Sequence, residues 1–200
     1  VTVPTYRIRP ASPDDLDDVI ELRRYAEDWM AAAGIEQWTS SETGDRVIRE
    51  HFNDGRLYVV EDHAGYVVAS LALGEGDPEF WTPAELAEPA MYLYKFITGP
   101  TARGTGLGDV LLDWACNKVE LYRNLWLRLD CHRTNTGLHQ YYLDRGFHLV
   151  DIREAPGRQS GALFERSAEL QKATSPRVRL LDATEFSNGM VFAEPREAAV

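Results

Sequence analysis

The sequence predicts a mixed α/β (α+β) fold in one main domain, and three observations carry that prediction. Strand-like runs rich in Val, Tyr, Leu and Ile recur between stretches of helical apolar spacing, in the order β-α-α-β-β-β-α-β-α-β-β, which is seven strands and four helices. A strong turn signal joins two consecutive β-rich runs into a hairpin. Halfway along the chain, a strand runs through a glycine-rich loop into an amphipathic helix, an order typical of ligand-binding α/β units.

The elements follow in order. Tyr6-Arg7-Ile8-Arg9 reads as a first short strand. Ser12-Pro13-Asp14-Asp15 then starts a helix, with a Ser cap, Pro in the first turn and acids at the positive end of the dipole. Leu16, Val19, Ile20, Ala26, Trp29, Met30 and Ala33 recur at near-helical spacing until Gly34 stops the helix. Ser40 to Asp54 reads as a second helix. Leu57–Val60 and Tyr66–Leu73 form the hairpin, turned by Asp62-His63-Ala64-Gly65. Residues 74 to 89, rich in Gly, Pro and acids around Phe80-Trp81, read as a long loop of the kind that often serves function. Met91–Thr98 is the fourth strand. The helix after the glycine loop places Leu107, Val110, Leu111, Trp114, Ala115, Val119 and Tyr122 along one side, and Leu125–Asp130 follows as a strand. Asn135–Arg145 is a helix stopped by Gly146, and Phe147–Arg153 and Ala162–Arg166 are late strands. In the tail, Val178–Leu181 and Met190–Phe192 are strand-like, held either by this chain or by a partner subunit.

Composition narrows the function. Two hundred residues suffice for one full-sized core, and 44% apolar with 26% charged residues is ordinary for a globular protein. The formal charge of −11 argues against binding nucleic-acid phosphates. Cys116 and Cys131 read as buried free thiols, and no Cys/His spacing implies a metal site. Val1-Thr2-Val3-Pro4 does not open a signal peptide and no apolar stretch approaches a membrane span. A cytoplasmic protein without membrane association is the expectation.

Chemistry concentrates in Arg103-Gly104-Thr105-Gly106-Leu107-Gly108. Glycines let the backbone approach a ligand closely, and the first helical turn offers unpaired N–H groups at the positive end of the dipole. A pyrophosphate suits such a site. The loop lacks the Lys-Ser/Thr of a P-loop, and its third glycine falls one residue early for a dinucleotide fingerprint. Further on, Leu127-Arg128-Leu129-Asp130 precedes Asn135 and then Tyr141-Tyr142-Leu143-Asp144-Arg145-Gly146-Phe147.

Arg-x-x-Gly-x-Gly with Pro100 before it, followed by the strand, the Asn and Tyr-x-x-x-Gly-Phe, resembles the GNAT N-acetyltransferase superfamily over roughly residues 5 to 167. Ala33-Gly34-Ile35-Glu36-Gln37-Trp38 resembles a segment of a bacterial subgroup. The resemblance implies a GNAT domain over 1–167, with 168–200 as an extension packed on the domain or on a partner subunit. It implies a mostly antiparallel sheet of about seven strands flanked by four helices, with strands four and five splayed at an acyl-CoA site. It further implies acetyl transfer from acetyl-CoA to a primary amine of a small molecule or peptide, no metal, and a homodimer. Carried onto this sequence, the backbone of Arg103, Gly104, Thr105, Gly106, Leu107 and Gly108 would hold the CoA pyrophosphate, and Thr98 would face the pantetheine. Asn135 would bond either the pantetheine or the start of the last helix, and Tyr142, preferred over Tyr141, would protonate the departing thiolate. Thr105 stands where many relatives carry a basic residue, so the phosphate grip relies more on backbone.

An alkylamine of pKa about 10.4 loses roughly 4.6 kcal/mol at pH 7 by being protonated. A general base would offset this, yet the fourth strand, Met91–Thr98, carries no carboxylate. Glu75, Asp77, Asp130 and His132 are the alternatives, with a water chain beside them. Gln37, Trp38 and Trp81 are candidates for the acceptor wall, where aromatic faces suit a cationic or ring-bearing amine. The missing carboxylate also admits a second function class, a catalytically silent GNAT-fold protein that senses acyl-CoA.

Overall fold

The computed structural model describes residues 3–34, 41–169 and 177–184. They form an eight-stranded sheet in the order β6-β7-β5-β4-β3-β2-β1-β8. The strands are β1 (Thr5–Pro10), β2 (Leu57–Glu61), β3 (Val67–Gly74), β4 (Ala90–Thr98), β5 (Trp126–His132), β6 (His148–Ile152), β7 (Ser160–Ser167) and β8 (Arg179–Asp182). The helices are α1 (Leu16–Ala32), α2 (Ser41–Asn53), α3 (Pro83–Leu86), α4 (Leu107–Leu121) and α5 (Thr136–Leu143). Only β4–β5 and β1–β8 pair in parallel. Among the described residues no helix is long and apolar enough to cross a membrane.

Alternation along β2 separates the two faces of the sheet. Leu57 and Val59 pack with Val19, Ile20 and Ile48 of α1 and α2, whereas Tyr58 and Val60 join the core shared with α4. The hairpin turn forms as its sequence requires: Asp62 Oδ1 accepts hydrogen bonds from the amides of Ala64 and Tyr66 at 2.9 and 3.0 Å. Both cysteines are buried and unpaired.

Two features depart from the sequence expectation. The long loop contains α3, because Thr82 and Glu85 cap each other: the Glu85 amide donates to Thr82 Oγ1 and the Thr82 amide to Glu85 Oε2. The tail supplies an eighth strand. β8 pairs with β1, and Asp182 anchors it by accepting from Trp114 Nε1 at 2.8 Å and facing Lys118 Nζ at 3.0 Å on α4. Met190–Phe192 lie outside the described residues.

The feature that positions the site is the parting of β4 from β5. They pair only at Ala90↔Trp126, Met91↔Leu127 and Tyr92↔Arg128, after which β4 continues to Thr98 and β5 to His132 without each other. On its other edge β4 carries a bulge: Ser70 pairs with Ile97 and Ala72 with Tyr94, so Lys95 and Phe96 share the single residue Leu71. Lys95 takes φ +48° there.

The start of α1 is tied to the sheet by Arg9, whose guanidinium donates to Asp15 at 2.7 and 2.8 Å and also to Glu61 on β2. Burial alone would raise the Asp15 carboxyl, but hydrogen bonds from Arg9 and Ser12 outweigh it and bring it down to about 2. A depressed folded-state value means that this stabilisation is complete above the ordinary carboxylate range and fades as pH falls from about 4 towards 2. Asp15→Asn should therefore lower the unfolding free energy by about 1–2 kcal/mol at pH 7 and flatten its decline below pH ~4, as read from urea titrations across that range.

Candidate active site

The site begins where β4 ends. The amide of Gly99 donates to Val68 O at 2.8 Å, and the chain then folds back on itself, with the Arg103 amide donating to Gly99 O and the Thr105 amide to Ala102 O. The Thr105 hydroxyl donates to Ala102 O at 2.7 Å and accepts from the Leu107 amide at 3.2 Å, so Thr105 braces the loop from within. Three amides of the run are thereby engaged. Those of Gly104, Gly106, Gly108 and Asp109 have no hydrogen-bond partner among the described residues. They lie where the loop enters α4 and the helix dipole adds partial positive charge. Gly106 caps the helix at φ +94°, which a side chain would strain. A Cβ on Gly108 would lie 2.6 Å from the Tyr141 hydroxyl, so glycine there lets α5 approach the loop.

Beside these amides lies a cleft of about 540 Å³ between α1, the end of β4, the glycine loop and α5. Thr98, Arg103, Gly104, Gly106, Gly108, Asn135, Tyr141 and Tyr142 all border it. Asn135 caps α5, its Oδ1 accepting from the Leu138 amide at 3.0 Å. Leu107 is turned into the core instead, and its amide is taken by the Thr105 hydroxyl.

Tyr142 is 6% exposed, packed among Phe147, Phe164 and Tyr141, and its hydroxyl has no hydrogen-bond partner among the described residues. Burial holds its phenol well above the ordinary value, so it stays protonated as a donor. Tyr141 borders the cleft too but is otherwise occupied. Its hydroxyl faces Asp109 at 3.4 Å, and the Arg145 guanidinium lies over its ring while bonding Asp109 at 2.5 Å. Arg145 thereby offsets a carboxylate that would repel an anion at the first turn of α4.

Sequence reasoning missed Asp109 and Arg145, although the Tyr-x-x-x-Gly-Phe run contains the arginine. It also missed the α1 wall of Ala26, Trp29 and Met30, whose spacing reads as ordinary core. Trp29 carries the Arg103 guanidinium on its face at 4.0 Å. Trp81 does not border the cleft: it is 1% exposed, edge-on to Tyr92, with Arg128 over its ring. Gln37 and Trp38 lie outside the described residues.

The base candidates also separate. Glu75 is exposed beside Arg56, and Asp77 pairs with Arg158 at 3.1 Å. His132 is buried and bonded at both ring nitrogens, to Gln159 and to Thr134. Asp130 stands on β5 just past the last β4–β5 pair, and burial raises its carboxyl while the Ser160 hydroxyl and Arg158 act the other way. Among the described residues no group of three or more His, Cys, Asp or Glu is placed to hold a metal ion.

Comparison with known proteins gives one family. Residues 21–147 match the acetyltransferase (GNAT) family. An uncharacterized N-acetyltransferase of Bacillus subtilis, YesJ, is 25% identical over 146 residues, covering 70% of this chain and 81% of its own. A GNAT-family acetyltransferase of Listeria monocytogenes superposes with a TM-score of 0.68 at 20% identity, over 81% of this chain and 94% of its own. N-acetylglutamate synthase of Neisseria gonorrhoeae, solved with coenzyme A and N-acetyl-glutamate, superposes at 0.57 with 22% identity, over 82% of this chain and 35% of its own.

The left-handed cap makes a direct demand on sequence. Gly106→Ala should destabilise the protein by about 1–2 kcal/mol, a fall in Tm of roughly 2–8 °C in thermal unfolding.

Proposed function

The chain belongs to the acetyltransferase (GNAT) family, and from that premise we propose that it moves an acetyl group from acetyl-CoA onto a primary amine of a small molecule or peptide by direct attack. The observation that carries this reading is the set of amides at Gly104, Gly106, Gly108 and Asp109, unpaired among the described residues and placed at one end of a cleft whose wall holds the Tyr142 phenol.

The four amides suit the pyrophosphate of CoA, with Arg103 and Arg145 supplying positive charge nearby. The pantetheine arm carries amide groups, and the edges that β4 and β5 leave unpaired can receive them as an added strand would. That path leads towards the bulge at Lys95–Phe96, where backbone released from regular pairing supports a role in holding the thioester oxygen as it gains charge. The amine attacks the carbonyl carbon, the C–N bond forms and the C–S bond breaks. Tyr142 donates a hydrogen bond, and then a proton, to the leaving sulfur. Asp130, with its carboxyl raised by burial, takes the proton that the amine must lose.

Calorimetry with acetyl-CoA, paired with thiol release across an amine panel, tests the reading. Binding with release for one class of amine is the expected result. Binding without release across the panel would favour an acyl-CoA sensor, and no binding would refute the assignment of the glycine loop. Tyr142→Phe should lower kcat by about 100-fold or more while leaving acetyl-CoA affinity within a few-fold. Unchanged turnover in that variant would remove Tyr142 from the mechanism.

A further inference from the structure

The cleft explains Phe96 and Thr98 on β4 but not Lys95 between its bulged neighbours. Lys95 is largely buried, and the charges close enough to act on it come from three directions: Arg23 and Glu27 on α1, Asp130 on β5, and Arg158 in the β6–β7 connection. Most of these charges are already matched. Arg23 pairs with Glu27 and with Asp45 at 3.1 Å, and Arg158 with Asp77 and Glu79 at 3.1 and 2.6 Å.

Lys95 and Asp130 are the exceptions. Neither makes an ion pair among the described residues, and they do not pair with each other. The sheet nevertheless places them together. Both lie on the stretches of β4 and β5 beyond the last pair, Tyr92↔Arg128, and each is close enough to act on the other's charge. The two opposite charges thus stand beside the parting of the strands without forming an ion pair. Burial drives the Lys95 ammonium down to about 8 and the Asp130 carboxyl up, as expected of charged groups held from water without a direct counter-ion. Lys95 also holds its left-handed φ of +48°, a conformation long side chains rarely adopt and one that recurs where function constrains the backbone.

We propose that Lys95 and Asp130 are the two halves of the acceptor site, and that the acceptor is a primary amine bearing a carboxylate, whose carboxylate meets Lys95 and whose amine meets Asp130. The inference rests on the acetyl-transfer reading and adds its substrate class. A plain amine would leave Lys95 unmatched and would bring a second positive charge towards it, so the same lysine that attracts the right acceptor repels the wrong one. A zwitterion also crosses the field of a chain of net charge −11 with little net attraction or repulsion, which leaves selection to the local pair.

The test is thiol release from acetyl-CoA with the standard α-amino acids, β-alanine and γ-aminobutyrate, each set against the amine that lacks its carboxylate. In the wild-type protein, kcat/KM for the best acceptor should exceed that for its decarboxylated partner by about 100-fold or more. Lys95→Met, with folding checked by thermal unfolding, should collapse that ratio to within a few-fold through a rise in KM, and Lys95→Arg should keep part of it. Equal use of the two amine classes, a ratio intact in Lys95→Met, or no release with any carboxylated amine would each overturn the proposal. Acetyl-CoA binding, read separately by calorimetry, tells these failures from a failure of the underlying acetyl-transfer reading.

Discussion

The structure depends on where one parallel strand pair stops. Three residue pairs hold β4 to β5, and beyond Tyr92 and Arg128 the two strands end their hydrogen bonding to each other. Below that point the joint is firmly tied. Arg128 donates to Glu165 at 2.8 Å and to Glu85 O at 2.6 Å, pairs with Glu88 and lies over the ring of Trp81. Above it, unpaired strand edges can persist only if neighbouring elements hold the strands apart or a ligand completes their bonding. α1 supports one side, where Ala26 and Met30 pack on Ile97. α5, capped by Asn135, supports the other.

That parting sets the position of every group in the proposed reaction. The amides at the start of α4 lie at one end of the cleft because β4, once free of β5, turns at Gly99 and is bonded back to Val68. Tyr142 faces the cleft because its helix begins a few residues after β5, and the core formed by Phe147 and Phe164 fixes its ring. The two adjacent tyrosines divide the work by environment. Tyr141 is held at the glycine-loop end by Asp109 and Arg145, while the Tyr142 hydroxyl has no hydrogen-bond partner among the described residues.

Much of this was legible in the sequence, for reasons that are local. The Asp62–Gly65 turn, the Ser12 cap and the glycine loop each act through their own backbone, and pattern alone locates them. The Thr82–Glu85 cap was equally local but was masked by the Pro, Gly and acid content around it. What the sequence could not place was set by contacts between distant segments. Trp29 reads as core spacing and stands at the cleft under Arg103, whereas Trp81 sits in a loop and is buried beneath Arg128. Asp130 and Lys95 lie on two strands beyond the last pair that joins them, and pattern alone does not bring them near each other. β8 was ambiguous because its partner strand lies at the opposite end of the chain, and only the bonds of Asp182 to Trp114 and Lys118 reveal which surface holds it.

Direct transfer needs one proton removed at the amine and one delivered at the sulfur, on two sides of a single carbonyl. Burial serves both ends, although it acts on unlike groups. It keeps the Tyr142 phenol protonated, so its proton would be available to the leaving group. It raises the Asp130 carboxyl, bringing its basicity closer to that of the amine it would deprotonate. Lys95 adds a third effect at the acceptor end. In the proposed site it would match the acceptor's carboxylate and leave Asp130 to meet the amine, so that the base missing from β4 would come from β5.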